Sequence, residues 1–189
     1  GYIIACIDNR GTLGRGEEFK KCTYLNLGQK ELEDQVEGVQ YLKTLNYVDP
    51  TRIGIWGWSF GGYMSSLAIT KAADVYKLAV AVAPVTNWKY YDNVYTERFM
   101  RTPQENAKGY EQSSLITYAN MLTGKFLLIH GTADDNVHFQ NSVEFISALQ
   151  NNNKKFSLQI YPNKNHFISG TKTRLHLYTT ITEFILNNL

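Results

Sequence analysis

The sequence has little cysteine, little excess charge and no long apolar run. Its 189 residues include only two cysteines, Cys6 and Cys22, which are too few for a disulfide framework. The formal net charge of +2 is too small to indicate a nucleic acid or a membrane surface as partner. No apolar stretch approaches the ~20 residues of a membrane span. What remains is a globular chain of one ordinary domain, with 43% hydrophobic and 19% charged residues.

Patterns that hold cofactors are also missing. The glycine-rich segment 9–16 lacks the Lys-Ser/Thr ending of a phosphate-binding loop. No group of His, Cys and Glu has the spacing of metal ligands. We therefore expect neither a metal nor another cofactor.

Strand patterns alternate with helix patterns along the chain. The predicted strands span residues 2–8, 52–57, 78–85, 125–130 and 156–161. The predicted helices span residues 30–46, 60–72, 138–150 and 171–187, with short helices near 92–100 and 103–110. This alternation predicts an α/β fold, in which helices cover both faces of a mostly parallel sheet. Within it, we expect Cys6 to be a small buried core residue of the first strand and Cys22 to lie in a polar loop.

The most informative segment lies where the second predicted strand meets a helix. Gly57-Trp58-Ser59-Phe60-Gly61 fits the pattern Gly-x-Ser-x-Gly, with an apolar strand before it and an apolar helical pattern after it. In this setting the pattern indicates a nucleophile elbow, whose strained turn exposes the serine hydroxyl above the sheet. We expect glycine at 57 and 61 because a side chain at either position would clash with the neighbouring strand or helix. The sequence thus predicts Ser59 as the nucleophile of a hydrolase.

A serine nucleophile needs a histidine base, and the chain has four histidines, His130, His138, His166 and His176. In this fold the order along the chain is serine, carboxylate, histidine, each in a loop at one edge of the sheet. His166 satisfies both conditions, because it follows the 156–161 strand in a loop. His130 ends a strand before the carboxylate loop, where a hydrogen-bonded role beneath the site is expected. His138 and His176 fall within predicted helices.

The carboxylate is expected in the loop after the 125–130 strand. Asp134 and Asp135 both lie there, and the residues alone do not separate them. One would orient the histidine, and the other would cap a helix beginning near Val137. The backbone N–H of Phe60, directly after the serine, is predicted to be one donor of an oxyanion hole.

Three motifs together resemble the dipeptidyl peptidase IV branch of the prolyl oligopeptidase family, in particular bacterial members of the Bacteroides–Porphyromonas group. They are Gly57-Trp58-Ser59-Phe60-Gly61-Gly62-Tyr63, the Tyr90-to-Met100 segment with its Tyr91-Asp92 and Tyr95-Thr96-Glu97-Arg98, and His130-Gly131-Thr132-Ala133-Asp134-Asp135-Asn136-Val137-His138-Phe139-Gln140. The likeness covers nearly the whole chain, and the second and third motifs are more specific than the first.

The resemblance implies an activity and a set of site residues. Members are serine peptidases that remove N-terminal dipeptides with Pro, or less well Ala, in the second position. By motif, Ser59 matches the nucleophile, Asp134 rather than Asp135 the carboxylate, and His166 the base. The residues matching the walls of the proline pocket are Phe60, Val85, Trp88, Tyr91, Tyr95 and Val137. Asn136 matches a residue that hydrogen-bonds a backbone carbonyl of the substrate.

The resemblance also implies a larger protein. Residues 1–189 would be the C-terminal part of an α/β-hydrolase catalytic domain that lacks its first strands, and a β-propeller would lie outside the chain. The second oxyanion donor and the acids that bind the substrate amine would lie outside it too. Because strand edges would then be open, we expect self-association, such as a homodimer, or a displaced N-terminal strand. The family suggests a periplasmic or cell-envelope location in a bacterium.

The sequence departs from the family pattern at two positions. Two other functions are also compatible with the sequence. Phe60 stands where animal members often have Tyr, and Phe167 follows the histidine where Gly is common. A related oligopeptidase or acylaminoacyl peptidase would use the same triad. The third hypothesis is a non-enzymatic interaction module.

Overall fold

A computed structural model describes all residues from 1 to 189. Its four strands are β1 (Gly54–Trp58), β2 (Leu78–Val82), β3 (Lys125–Gly131) and β4 (Ser157–Tyr161). Its α-helices are α1 (Glu17–Lys21), α2 (Gln29–Leu42), α3 (Phe60–Lys71), α4 (Asn93–Met100), α5 (Ala107–Ser113), α6 (Gln140–Asn151) and α7 (Thr171–Asn188). Two 3₁₀ segments, Trp88–Tyr90 and Leu115–Met121, complete the set. Neither they nor α1 were predicted from the sequence, because such short pieces carry little periodicity.

The strands form one parallel sheet in the order β1-β2-β3-β4. Alternate residues of β2 point to opposite faces, so that Ala79 and Ala81 join one core and Val80 and Val82 the other. Helices α2, α3 and α6 contribute to the first core and α7 to the second. Burial on both faces explains why β2 is a continuous apolar run rather than an alternating one. The predicted α/β architecture is confirmed.

The parallel arrangement brings all carboxyl ends to one edge of the sheet. The register pairs Trp58 with Val82 across β1 and β2, and Gly131 with Tyr161 across β3 and β4. The loops that leave these ends therefore lie side by side, which is where ligands bind in open parallel sheets. None of the helices combines the length and the apolar character needed to cross a membrane.

The predicted strand at residues 2–8 is wrong. These residues form no strand, and Ile3 and Ile4 are exposed, as is Cys6, which was expected in the core. The segment lies along α2, where the Gln35 side chain donates to the Ile7 carbonyl. A strand obtains its hydrogen bonds from a neighbour, and within this chain β1 pairs only with β2. Of the two outcomes expected for open strand edges, residues 2–8 show the displaced segment.

The N-terminus of α2 contains a buried carboxylic acid. Glu31 is 2% exposed, and its Oε2 accepts a hydrogen bond from the Gly28 N–H at 2.9 Å, directly before the first turn of the helix. Burial raises the pKa of Glu31 from 4.5 to about 7, and its hydrogen bonds from backbone N–H groups and the positive charge of the nearby Arg10 only partly offset this. The fold therefore holds a proton on Glu31 that the unfolded chain releases.

We predict that Glu31 makes stability fall as the pH rises. Between pH 4.5 and 7 the folded chain binds one more proton than the unfolded chain, so the free energy of unfolding decreases with pH across this interval. Between pH 5 and pH 8, the free energy of unfolding of the unmodified chain should fall by about 3 kcal/mol more than that of the Glu31→Gln variant. Urea denaturation at both pH values measures this, with the exposed Glu37→Gln as the matched control. If the free energy of unfolding fell equally between the two pH values in Glu31→Gln and Glu37→Gln, the prediction would be contradicted.

Candidate active site

Ser59 occupies a strained turn between β1 and α3. Its φ of 59° and ψ of −116° place a non-glycine residue in the left-handed half of backbone space, at a cost of about 1–3 kcal/mol. The Ser59 N–H donates to the Val82 carbonyl at 2.8 Å, and the Ser59 carbonyl accepts from the Tyr63 N–H at 2.9 Å. These bonds tie the turn to β2 on one side and to the helix on the other. As the first residue of α3, Phe60 has an N–H without an acceptor in the helix.

The two glycines of the elbow have different roles. A Cβ on Gly57 would lie 2.3 Å from the backbone carbonyl carbon of Gly61, so the strand and the helix approach too closely for any side chain at 57. A Cβ on Gly61 would meet nothing within 4 Å. The expectation of a clash is therefore right for Gly57 and wrong for Gly61. The contact is asymmetric because the Gly57 Cβ points at the helix, whereas the Gly61 Cβ points into open space.

Asp134 is buried and surrounded by N–H donors. Its Oδ2 accepts from the Nδ1 of His166 at 2.8 Å and from the Nε2 of His130 at 3.1 Å. Its Oδ1 accepts from the N–H groups of Asn136 and Val137 at 3.0 and 2.9 Å. Burial alone would raise the pKa of Asp134, but the hydrogen bonds from the two histidines and the backbone hold it well below its usual range. Asp134 is therefore an anion that holds the His166 ring with Nδ1 protonated and Nε2 as the basic nitrogen.

Asp135 has a different environment from Asp134. It is exposed, and no hydrogen bond joins it to His166. The expected cap of a helix near Val137 is also absent, because α6 begins at Gln140 with Phe139 as its N-cap residue and no side-chain cap. Asp134, not Asp135, accepts the N–H groups of Asn136 and Val137, which lie ahead of this helix.

Two loops are locked together so that Asp134 meets His166. The Ala133 N–H donates to the Lys164 carbonyl at 3.0 Å. A Cβ on Gly131 would lie 2.3 Å from that same carbonyl oxygen, so the close approach requires glycine. From the elbow, the Trp58 indole Nε1 donates to the His166 carbonyl at 2.9 Å. These contacts join the loops after β1, β3 and β4 into one unit.

An aromatic cluster lies beside the elbow. The Trp88 ring stacks on Tyr95 with centroids 5.8 Å apart, and Tyr91 packs edge-on against both rings. Phe60 lies 5.8 Å from Trp88. Val85 and Val137 are buried in the same core as this cluster. The structure thus gathers all the apolar residues predicted for the proline pocket.

Asn136 lies at the exposed border of this cluster. The Tyr91 hydroxyl donates to its Oδ1 at 2.8 Å, which leaves the side-chain NH₂ of Asn136 free to donate to a ligand. The two residues line a depression of about 470 Å³, together with Asp92, Asp135 and His138. The depression offers polar contacts next to an apolar wall.

Of the remaining histidines, only His130 bonds Asp134. His138 is exposed ahead of α6, and His176 of α7 bonds the Tyr161 hydroxyl through Nδ1 at 2.8 Å. His130 is fully buried beneath Asp134. No group of three or more His, Cys, Asp and Glu side chains is arranged to hold a metal ion.

Three aromatic residues near the site were not assigned a role from the sequence. Tyr63 and Phe99 extend the aromatic cluster, with centroids 5.3 Å from Trp88 and 4.8 Å from Tyr95. Trp58 bonds the His166 loop. Tyr63 and Phe99 lie three and four residues after Phe60 and Tyr95, which is the helical spacing that places side chains on one face. Nothing in the sequence indicates the Trp58 contact, because its partner is 108 residues away.

Comparison with known proteins identifies the family. The family model described as "Prolyl oligopeptidase family" (Peptidase S9) matches residues 1–189. The chain belongs to the prolyl oligopeptidase family. The chain is 45% identical over 188 residues to the human prolyl endopeptidase FAP, covering 98% of this chain and 25% of the relative. It is 41% identical over 186 residues to dipeptidyl peptidase 4 of Felis catus, covering 97% and 24%.

A solved structure agrees with these relatives. The crystal structure of Porphyromonas gingivalis dipeptidyl peptidase 4 superposes with a TM-score of 0.95 at 50% identity, over 97% of this chain and 26% of that one. The resemblance indicated by the three motifs, and the α/β-hydrolase fold it implies, are confirmed. The chain spans about a quarter of the length of these prolyl oligopeptidase family relatives.

The two elbow glycines give a matched test of packing. We predict that Gly57→Ala destabilises the fold by about 3 kcal/mol or more, because backbone atoms of α3 must move to admit the Cβ. Gly61→Ala, in open space within the first turn of α3, should change stability by less than about 1 kcal/mol. Urea denaturation compares the two variants. A loss from Gly61→Ala as large as that from Gly57→Ala would contradict the asymmetry.

Proposed function

We propose that this chain carries the catalytic machinery of a serine dipeptidyl peptidase that releases N-terminal Xaa-Pro or Xaa-Ala dipeptides. The observation that carries the proposal is the bond from His166 Nδ1 to Asp134 at 2.8 Å, at the sheet edge where Ser59 is held at φ 59°. A serine in an elbow, a histidine and a buried carboxylate in this chain order are the parts of a hydrolytic triad. The names of the prolyl endopeptidase and dipeptidyl peptidase 4 relatives add support.

The first half of the reaction forms an acyl-enzyme. The Ser59 oxygen attacks the carbonyl carbon of the substrate's second residue while His166 Nε2 takes the hydroxyl proton. The Phe60 N–H donates to the oxyanion that develops on the carbonyl oxygen. His166 then gives its proton to the departing amine as the C–N bond breaks. Asp134 stays ionised throughout, because its hydrogen bonds hold its pKa far below neutrality.

The second half of the reaction regenerates the serine. Water attacks the ester carbon, and His166 accepts one of its protons as the new C–O bond forms. When the bond to the Ser59 oxygen breaks, His166 returns this proton to the serine, and the dipeptide leaves with a free carboxylate. No oxidant, metal or cofactor enters this balance.

The aromatic cluster accounts for the preference for proline. A proline ring is apolar and rigid, so it loses little conformational entropy when it packs against the faces of Tyr91 and Tyr95. Trp88 is 1% exposed and backs these two rings. A charged or long second residue would bury polar atoms without partners there. Alanine fits the same space with less contact area, which accounts for a weaker preference.

A related oligopeptidase or acylaminoacyl peptidase is the second candidate. Its supporting observation is the 45% identity to human prolyl endopeptidase FAP. Both candidates use the same triad, and they differ in whether the substrate needs a free N-terminal amine. Substrates with and without an N-terminal block therefore separate them. Because the chain spans about a quarter of its relatives, the assays use the full-length protein.

We predict that the full-length protein hydrolyses Gly-Pro-p-nitroanilide and that Ser59→Ala abolishes turnover. Removal of the nucleophile should lower kcat by about 10⁴-fold or more, with the unfolding midpoint close to that of the unmodified protein. Release of p-nitroaniline is followed by absorbance. The N-acetylated substrate should be cleaved much more slowly. Faster cleavage of the blocked substrate favours the second candidate, and no turnover by a folded protein favours an interaction module.

We predict that Tyr91→Phe weakens substrate binding more than the chemical step. The change keeps the aromatic wall but removes the hydroxyl that holds Asn136 Oδ1 at 2.8 Å, so the Asn136 amide loses its fixed direction toward the substrate. The loss of one neutral hydrogen bond should raise KM about fivefold with kcat nearly unchanged. Tyr178→Phe on α7 is the matched control. A fall in kcat without a rise in KM would contradict this assignment.

A further inference from the structure

His130 is a fully buried histidine that the proposed reaction does not use. It is the sixth residue of β3 and has 0% exposure. The four residues before it, Phe126 to Ile129, are buried and apolar, so an apolar residue would suit this strand equally well. A buried imidazole carries a desolvation cost unless its nitrogens are hydrogen-bonded. The role of His130 must therefore be sought in its hydrogen bonds.

The hydrogen bonds determine which ring nitrogen of His130 carries the proton. Nε2 lies 3.1 Å from Asp134 Oδ2 and 2.8 Å from the Val137 carbonyl oxygen. Both partners only accept, so Nε2 carries the hydrogen and is shared between them. Nδ1 lies 2.7 Å from the hydroxyl of Ser142, which is itself fully buried in the first turn of α6. The neutral ring thus donates to Asp134 and accepts from Ser142.

Asp134 Oδ2 is consequently shared by two histidines from different elements. His166 approaches from the loop after β4, and His130 approaches from β3. The titratable groups that face Asp134 are these two histidines and, through a longer-range electrostatic interaction, the Tyr91 hydroxyl. The Phe139 ring packs edge-on against the His130 ring, with the centroids 5.5 Å apart. His130 therefore donates to the same carboxylate oxygen that accepts the hydrogen bond from His166.

We infer that His130 is a positioning residue for the proposed peptidase, which fixes the Asp134 carboxylate for His166 and takes up part of its charge. The inference rests on the proposed function and adds a residue to it. A carboxylate held by backbone N–H groups on Oδ1 alone could still rotate its Oδ2 away from His166. The Nε2–H of His130 removes that freedom. This N–H also weakens the attraction between Asp134 and the His166 imidazolium, because an additional donor partly neutralises the negative charge of the carboxylate.

The test compares two substitutions of His130 in the full-length protein. His130→Leu removes both ring nitrogens, whereas the amide of His130→Gln can donate from about the position of Nε2. We expect His130→Leu to lower kcat about tenfold, the effect of one charge-assisted hydrogen bond, with a smaller change in KM. We also expect the acidic limb of the pH dependence of kcat/KM to move to higher pH, because Asp134 then attracts the His166 imidazolium more strongly. In His130→Gln, kcat and the position of the acidic limb should both be close to those of the unmodified protein.

A structural role in packing gives a different result. It would lower the unfolding midpoint of both variants and leave the acidic limb in place, and that outcome would overturn the inference. If His130→Leu does not fold, Ser142→Ala provides the same test, because it removes the hydroxyl that holds the His130 ring. It should move the acidic limb in the same direction by a smaller amount. An unmoved limb in a folded Ser142→Ala variant would also overturn the inference.

A second readout separates this inference from the proposed function. In protein labelled with ¹⁵N-histidine, the ring resonances of His166 report its titration without any substrate. A shift of this titration to higher pH in His130→Leu supports the coupling through Asp134. An unmoved titration in a protein that hydrolyses the dipeptide substrate overturns the positioning role alone. Absence of Ser59-dependent hydrolysis by the unmodified protein would instead overturn the proposed function.

Discussion

The buried negative charge of Asp134 is the constraint on which the arrangement of the site depends. A carboxylate at 5% exposure is stable only when its oxygens are hydrogen-bonded, and four N–H groups meet that need. Two come from its own loop, one from β3 and one from the loop after β4. Because these donors belong to separate elements, satisfying the charge also brings β3, the loop after it and the loop after β4 into one geometry. The position of His166 follows from this requirement.

The strained backbone of Ser59 is held by the sheet as well as by the first turn of α3. The turn is anchored to β2 by the Val82 carbonyl, and the close approach of β1 and α3 at Gly57 leaves no other path for the chain. Strain of this kind persists where the surrounding structure determines the backbone completely. The Trp58 indole then links this turn to the His166 loop.

The sequence indicated the residues that the fold brings together at this edge of the sheet, but not most of the contacts that hold them there. Ser59, Asp134 and His166 lie in turns or loops that follow successive strands, so their order is visible along the chain. The Trp58 contact was not predictable, since its partner lies 108 residues away. For His130 the sequence predicted a hydrogen-bonded position beneath the site, but not its partners Asp134, Val137 and Ser142. The strand at residues 2–8 shows the opposite error. Its apolar pattern is strand-like, but a pattern cannot supply the neighbouring strand that its hydrogen bonds require.

By itself, the sequence determined the α/β class, the elbow at Ser59 and the order of serine, carboxylate and histidine. Periodicity and turn chemistry are local properties, so they can be read residue by residue. Only the tertiary structure placed Asp134 against His166 and left Asp135 exposed, because the residues alone did not separate these neighbours. It also decided that Gly57 is sterically required and Gly61 is not. The physical reason is that burial and close approach depend on which distant segments meet, and a linear pattern does not contain that information.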